Sequence, residues 1–154
     1  MALQVRHAMT EAPKSLGPTR TADDAAGLMA QFDFGSVPIV DGEELVGIVT
    51  DRDLVVRVIA NRQDPHEVKL GEIATKAVTT VTPDTELADA RGVMEREKVR
   101  RLPVVKQGTL VGMLSLGDVA VALSSDRQVG EALKEISESP STQSLNEGPA
   151  VGTP

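Results

Sequence analysis

Apolar residues in this chain fall in short clusters that alternate between two spacings. Val37-Pro38-Ile39-Val40 and Leu45-Val46-Gly47-Ile48-Val49 are short and rich in β-branched residues, and Asp41-Gly42-Glu43 between them has hairpin-turn composition. Ahead of this pair, Ala22, Ala25, Ala26, Met29 and Phe32 recur at helical spacing behind Thr21 and Asp24, which are placed as a capping box. A closing helix is predicted from about Asp51 to Ala60, and a short extended piece, Lys14-Ser15-Leu16, opens the series before Gly17-Pro18 stops it. The order is strand, helix, strand, strand, helix.

The same order returns 65 residues later, and residues 7–58 align with 72–123 without a gap. Val78-Thr79-Thr80-Val81 is the second opening strand. Leu87, Ala90 and Met94 mark the second helix, Leu102-Pro103-Val104-Val105 and Thr109 to Leu114 the second strand pair, and Leu116 to Leu123 the closing helix. A solenoid needs at least three copies of a shorter period, so two copies predict a pseudo-symmetric pair. The fold class is therefore α+β, two βαββα units packed about a pseudo-twofold axis. Pro38 and Pro103 lack a backbone donor and are expected at a strand start or edge.

Read along the chain, residues 1–60 form the first unit, 61–71 a linker with a short helix from Val68 to Ile73, and 72–124 the second unit. Val129, Leu133 and Ile136 give residues 125–139 the spacing of one more helix, while residues 140–154 have too little apolar content to order.

Composition narrows the function. The chain has 154 residues, 40% hydrophobic and 25% charged, with no cysteine and no apolar run long enough to span a bilayer. Met1 to His7 is too weakly apolar for a secretory signal, which makes the cytoplasm the expected location. A net charge of −7 argues against a nucleic-acid surface, and two aromatics, Phe32 and Phe34, provide no base-stacking platform. Charge is uneven: residues 1–60 hold 5 basic and 9 acidic side chains, residues 61–125 hold 9 and 9. Without cysteine, and with His7 and His66 apart in the sequence, no metal site is expected. Asp23-Asp24, Glu43-Glu44 and Asp84 with Glu86 suit helix starts and turns, and nothing assembles a nucleophile, base and orienter. Met29, Met94 and Met113 are read as core fillers.

One repeated junction carries candidate chemistry. Gly47-Ile48-Val49-Thr50-Asp51-Arg52-Asp53 returns as Gly112-Met113-Leu114-Ser115-Leu116-Gly117-Asp118. A hydroxyl with a carboxylate three residues on makes an ordinary helix cap, and it also puts a phosphate-binding hydroxyl and a ribose-binding carboxylate at a helix start. Both readings stand for the same residues.

These motifs, with Ser36-Val37-Pro38-Ile39-Val40 and Val99-Arg100-Arg101-Leu102-Pro103-Val104-Val105, resemble a tandem pair of CBS domains, also called a Bateman module. Asp64-Pro65 is similar to the linker of small stand-alone bacterial members such as the mycobacterial hypoxic response proteins. The resemblance implies a non-catalytic regulatory pair that needs no cofactor and binds AMP, ADP, ATP or S-adenosylmethionine between its units. It further implies a homodimer and an effector protein, with no nucleic acid and no membrane. Carried over residue by residue, one site takes Thr50 and Asp53 with Ala77, Val78 and Thr80 around the base and Arg100 and Arg101 on phosphate. A weaker site takes Ser115 and Asp118 with Lys14, Ser15 and Ser36. Arg100 and Arg101 also read as a solvated charge run with Arg96 and Lys98. The other function considered is a ligand-free module for homodimerisation or partner docking. Its apolar surface would come from Leu54, Val55, Val58, Ile59, Val119, Val121, Ala122 and Leu123.

Overall fold

The computed structural model describes residues 2–124, so the expected helix over 125–139 and the tail over 140–154 lie outside the described residues. Strands β1 (Thr10–Glu11), β2 (Ser36–Asp41), β3 (Glu44–Thr50), β4 (Arg101–Lys106) and β5 (Thr109–Ser115) form one mixed-length sheet with helices α1 (Ala22–Phe32), α2 (Asp51–Asp53), α3 (Leu70–Ile73), α4 (Leu87–Glu97) and α5 (Leu116–Leu123) around it. The α+β arrangement of two βαββα units is present.

The hairpins β2–β3 and β4–β5 are copies of one another down to their irregularities. Both carry a bulge at the matching place, between Ile39 and Val40 and between Val104 and Val105. Their turns use positive φ, at Gly42 (66°) in the first and at Gln107 (52°) and Gly108 (81°) in the second. The hairpins meet where Glu44 stands opposite Thr109. Each predicted opening strand shrinks to one bridging residue, Leu16 beside Ile39 and Val81 beside Val104, both parallel. The prolines meet the expectation of an edge: β2 and β4 are outer strands, each paired with a strand on one side and flanked on the other only by a one-residue bridge. Pro38 lies within β2 opposite Ile48, and its carbonyl accepts from Leu16 at 3.1 Å. Ile48 turns both of its bonds to Thr75, away from β2, so the donor missing at Pro38 breaks no bond between β2 and β3.

The two cores are not assembled in chain order. The segment before the first unit packs on the second. Val5, fully buried in a 3₁₀ turn, donates to the carbonyl of Thr85 at 2.8 Å, Leu87 donates to that of Leu3 at 2.8 Å, and β1 pairs with β5. The matching segment between the units packs on the first: Leu70 donates to Arg20 at 2.8 Å, Ala22 to Val68 at 2.8 Å, and Thr75 pairs with Ile48. Val5 accordingly joins the core of Leu87, Met94, Leu102 and Leu114, while Val68, Leu70 and Ile73 join that of Met29, Val37, Ile39 and Val49. Divisions drawn at residues 1–60 and 72–124 cut across these cores.

The repeated glycines mark where each exchanged segment crosses. A Cβ at Gly47 would stand 3.0 Å from the Ala74 Cβ and 3.0 Å from the Thr75 carbonyl oxygen, and one at Gly112 would stand 2.7 Å from Met9 Sδ and 3.0 Å from the Thr10 carbonyl oxygen. A side chain there would push off the strand that ties the units together.

Helix α1 starts as expected. The Asp24 amide donates to Thr21 Oγ1 at 3.3 Å and the Thr21 amide donates to Asp24 Oδ2 at 3.1 Å. It ends on Asp33 with a left-handed φ of 55°, as α4 ends on Lys98 at 55°. Ala22, Ala25 and Met29 are buried, but Ala26 and Phe32 are exposed. Phe32 comes in the last turn, past the edge of the core. Its ring stacks on Phe34 with centroids 6.1 Å apart, under the Lys14 ammonium at 4.9 Å.

The predicted helix from Asp51 to Ala60 is α-helical for one turn only. From Leu54 to Ile59 it winds as a π-helix, with Ala60 donating to Val55 and Gln63 to Val58. This winding sends Leu54 and Val58 into the core and leaves Val55, Val56 and Ile59 exposed. Of the proposed apolar surface, Leu54, Val58 and Val119 are therefore core residues.

Replacing Gly47 with valine should lower unfolding free energy by about 1–3 kcal/mol, the usual cost of overpacking. Alanine at Gly27, in α1 with nothing within 4 Å of its Cβ position, should raise it by about 0.5–1 kcal/mol. Urea denaturation of both variants checks the contrast, and equal effects would remove the close-approach account of Gly47.

The Arg20 side chain and the Thr21 amide hold the Asp24 carboxyl down to about 2, from an ordinary 3.8. Because the folded value is the lower one, its contribution is complete above pH about 4 and is lost as pH falls toward 2. Asp24→Asn should flatten that limb of the melting-temperature profile relative to the parent. Superimposable acid limbs would refute the assignment.

Candidate functional site

Each closing helix starts on the hydroxyl and carboxylate of the repeated motif. The Asp53 amide donates to Thr50 Oγ1 at 3.1 Å and the Thr50 amide to Asp53 Oδ2 at 2.9 Å. In the second unit the Asp118 amide donates to Ser115 Oγ at 3.0 Å and the Ser115 amide to Asp118 Oδ2 at 3.3 Å. The capping reading of these residues is therefore correct, and each carboxylate keeps one oxygen outside its box. That oxygen is used differently. Asp53 Oδ1 lies 3.6 Å from Arg57 Nε, and Arg57 also donates to the Ile73 carbonyl at 2.9 Å. Asp118 makes no ion pair among the described residues.

Strand register decides which side chains stand beside each motif. Ser36 is the cross-strand partner of Thr50, and Arg101 is that of Ser115. The Asp51 amide donates to the Gly35 carbonyl at 2.9 Å, as the Leu116 amide donates to the Arg100 carbonyl at 2.8 Å. β3 and β5 run antiparallel from their single meeting point, so Thr50 and Ser115 lie on opposite sides of it, each about 20 Å along its strand. This geometry regroups the expected residues. Arg100 and Arg101 accompany Ser115 and Asp118 instead of Thr50 and Asp53, and Ser36 accompanies Thr50 instead of Ser115. Ser36 Oγ is itself buried and has no hydrogen-bond partner.

The remaining candidates lie on the two segments that pass between units. Residues 76–80, containing Ala77, Val78 and Thr80, run from Thr75 on β3 to Val81 on β4, where Val81 donates to Pro103 at 3.1 Å. Residues 12–15, containing Lys14 and Ser15, run from β1 on β5 to Leu16 on β2, turning through Ala12 at a φ of 47°. Val78 and Thr80 line a cavity of about 210 Å³ with Glu44 to Gly47, Lys76, Val105 and Gly108. A second, of about 290 Å³, lies between Pro18, Ile39, Asp41, Val46, Gly71, Ala74 and Lys76. Both fall below the ~300–1,000 Å³ of small-molecule pockets, and neither includes Thr50, Asp53, Ser115 or Asp118. Lys76 lines both cavities and was missed by the sequence reading. The signal for it was its place on the passing segment, which is visible only once the exchange of segments is known.

Among the described residues no three His, Asp or Glu side chains are grouped to hold a metal ion, and no helix is long and apolar enough to cross a membrane.

Comparison with known proteins agrees with the repeat. Residues 5–60 and 70–125 each match the CBS domain. The CBS domain-containing protein YhcV of Bacillus subtilis is 36% identical over 133 residues, covering 86% of this chain and 94% of YhcV. The crystal structure of Hypoxic Response Protein I with two coordinated zinc ions superposes with a TM-score of 0.72 at 33% identity, covering 78% of this chain and 98% of that one. The curated Hypoxic response protein 1 of Mycobacterium tuberculosis is 34% identical over 116 residues, 75% of this chain and 81% of its own. The structure of CBSX2 in complex with AMP gives a TM-score of 0.69 at 30% identity, covering 78% and 95% of the two chains. With both halves matched, with the hairpins, bulges and helix caps repeated in each, and with solved CBS-pair structures superposing over most of its length, this chain belongs to the CBS-domain family as a tandem pair.

Proposed function

We propose that the chain is a non-catalytic sensor that binds an adenosine nucleotide between its units, with the strongest phosphate-binding end at Ser115 and Asp118. The observation that carries this reading is the register that puts Arg101 beside Ser115 and Arg100 at the start of α5. Two guanidinium groups would supply the charge-assisted donors that a phosphate needs, and the oxygen of Asp118 outside its capping box would accept from ribose hydroxyls. Lys14, whose ammonium lies over Phe32, is assigned with Ser15 to the other end, which Thr50, Asp53 and Ser36 with Ala77, Val78 and Thr80 make up. A similar protein, CBSX2, was solved with AMP, which supports the ligand class.

Thermal melting and isothermal titration with AMP, ADP, ATP and S-adenosylmethionine test the reading, since a ligand of the folded state raises the melting temperature. Removing Arg100 and Arg101 together should weaken AMP by about 1.5–3 kcal/mol for each charge-assisted bond lost, and adenosine hardly at all. Asp118→Asn should abolish AMP binding, because an amide offers one acceptor oxygen where the carboxylate offers two. An unchanged melt with all four compounds at millimolar concentration would sink the nucleotide reading.

The second reading, an assembly module, is favoured by one observation. Val55, Val56 and Ile59, three neighbouring apolar side chains on the π-helical turn, are 55%, 49% and 65% exposed. They suit a homodimer contact that hides them, and such a contact is compatible with nucleotide binding or independent of it. Light scattering at tens of micromolar should give a dimer, and Val55→Glu with Ile59→Glu a monomer. A monomeric parent protein would dispose of the idea.

A further inference from the structure

The two ends of the sheet share a backbone and differ in charge. From the left-handed cap of the preceding helix to the start of the strand, the second unit reads Lys98-Val99-Arg100-Arg101, three positive charges. The first reads Asp33-Phe34-Gly35-Ser36, one negative charge. At the helix start the second unit has Leu116, and the first has Asp51. The matching hydrogen bonds, Asp51 amide to Gly35 carbonyl and Leu116 amide to Arg100 carbonyl, fix these as equivalent places. The Asp51 carboxylate lies against the Gly35 α-carbon: a Cβ there would be 3.0 Å from Oδ2 and 3.3 Å from Cγ. A carboxylate thus occupies the space where the Arg100 side chain leaves the backbone in the other unit. The cations nearby are largely committed. Arg57 holds Asp53 and the Ile73 carbonyl, Lys14 lies over Phe32, and among the described residues Asp51 makes no ion pair. Ser36 Oγ beside Thr50 is buried and has no hydrogen-bond partner among the described residues.

We propose that the two ends select ligands by charge: the Thr50–Asp53 end takes a nucleoside without phosphate and excludes phosphorylated ones through Asp51, while the Ser115–Asp118 end takes the phosphorylated form. The proposal rests on the nucleotide-sensor reading and adds the residue that sets specificity. Like charge disfavours a phosphate at the first end, and removing that charge should raise AMP affinity there about tenfold or more.

Isothermal titration of the full chain tests this with AMP and adenosine as probes. The parent should bind one AMP but two adenosines per chain, Asp51→Asn should bind two AMP, and Asp51→Asn with Asp118→Asn should return to one. Asparagine retains a side-chain oxygen for the bond that Asp51 Oδ1 now accepts from the Arg52 amide at 2.8 Å, so the local turn is preserved. Two AMP of equal affinity on the parent, or one AMP on Asp51→Asn, would overturn the charge selection and leave the sensor reading in place. Failure of both probes to bind the parent would overturn both.

Discussion

The structure depends on a reciprocal exchange of backbone between two copies of one unit. Neither βαββα unit completes its own core. Leu70, wholly buried in the first, comes from the segment leading into the second, and Val5, wholly buried in the second, comes from the segment leading into the first. The exchange is held by short backbone bonds that each unit's opening helix would otherwise leave unmade, among them Ala22 to Val68 and Leu87 to Leu3, both 2.8 Å. An isolated unit would expose a groove lined by Leu87 or Ala22 and would lack a strand at Gly112 or Gly47. Two small units that are marginal alone become one cooperative body by sharing these segments.

The same exchange makes the seam between units available for chemistry. A segment that starts hydrogen-bonded to one unit and ends hydrogen-bonded to the other must cross the seam, and it crosses near the strand that delivers Thr50 or Ser115 to a helix start. The hydroxyl and carboxylate there are already needed to satisfy helix-start amides, so they are held in place before any ligand arrives. Capping and binding are consequently not rival accounts of Asp118. One oxygen serves the helix and leaves the other free, whereas in Asp53 the second oxygen is drawn toward Arg57.

Much of this was legible in the sequence because the relevant signals are local. The turn residues at Gly42 and Gly108, the capping boxes at Thr21, Thr50 and Ser115, and the buried stripe Leu87, Ala90, Met94 all depend on neighbours a few residues away. What escaped was non-local. Lys76 lines a cavity, and Arg101 stands beside Ser115 instead of Thr50, because cross-strand register and segment exchange join residues far apart in the chain. Since the two copies carry nearly the same pattern, the pattern alone does not say which copy a given segment joins. The π-helical turn at Leu54–Ile59 was hidden for a different reason. Leu54 and Val58 at a spacing of four fit an α-helix equally well, and only the bonds from Ala60 and Gln63 reveal the wider winding.

Duplication with exchange also explains how the two ends came to differ while the fold did not. The features that hold the pair together are repeated closely: Gly47 and Gly112 under the crossing strands, the bulges at Ile39 and Val104, the left-handed caps at Asp33 and Lys98, and the buried methionines 29 and 94. Side chains that point out of this framework near the helix starts carry no such duty. Arg100 is exposed and its carbonyl alone bonds α5, so the backbone contact survives whether the residue is arginine or, as in the first unit, glycine. Electrostatics at each end can then vary without cost to the core, since a charge at position 100 or 51 lies outside the packed interior. A scaffold whose stability resides in exchanged backbone and apolar packing is for that reason free to carry different charge at the two ends of one pseudo-symmetric frame.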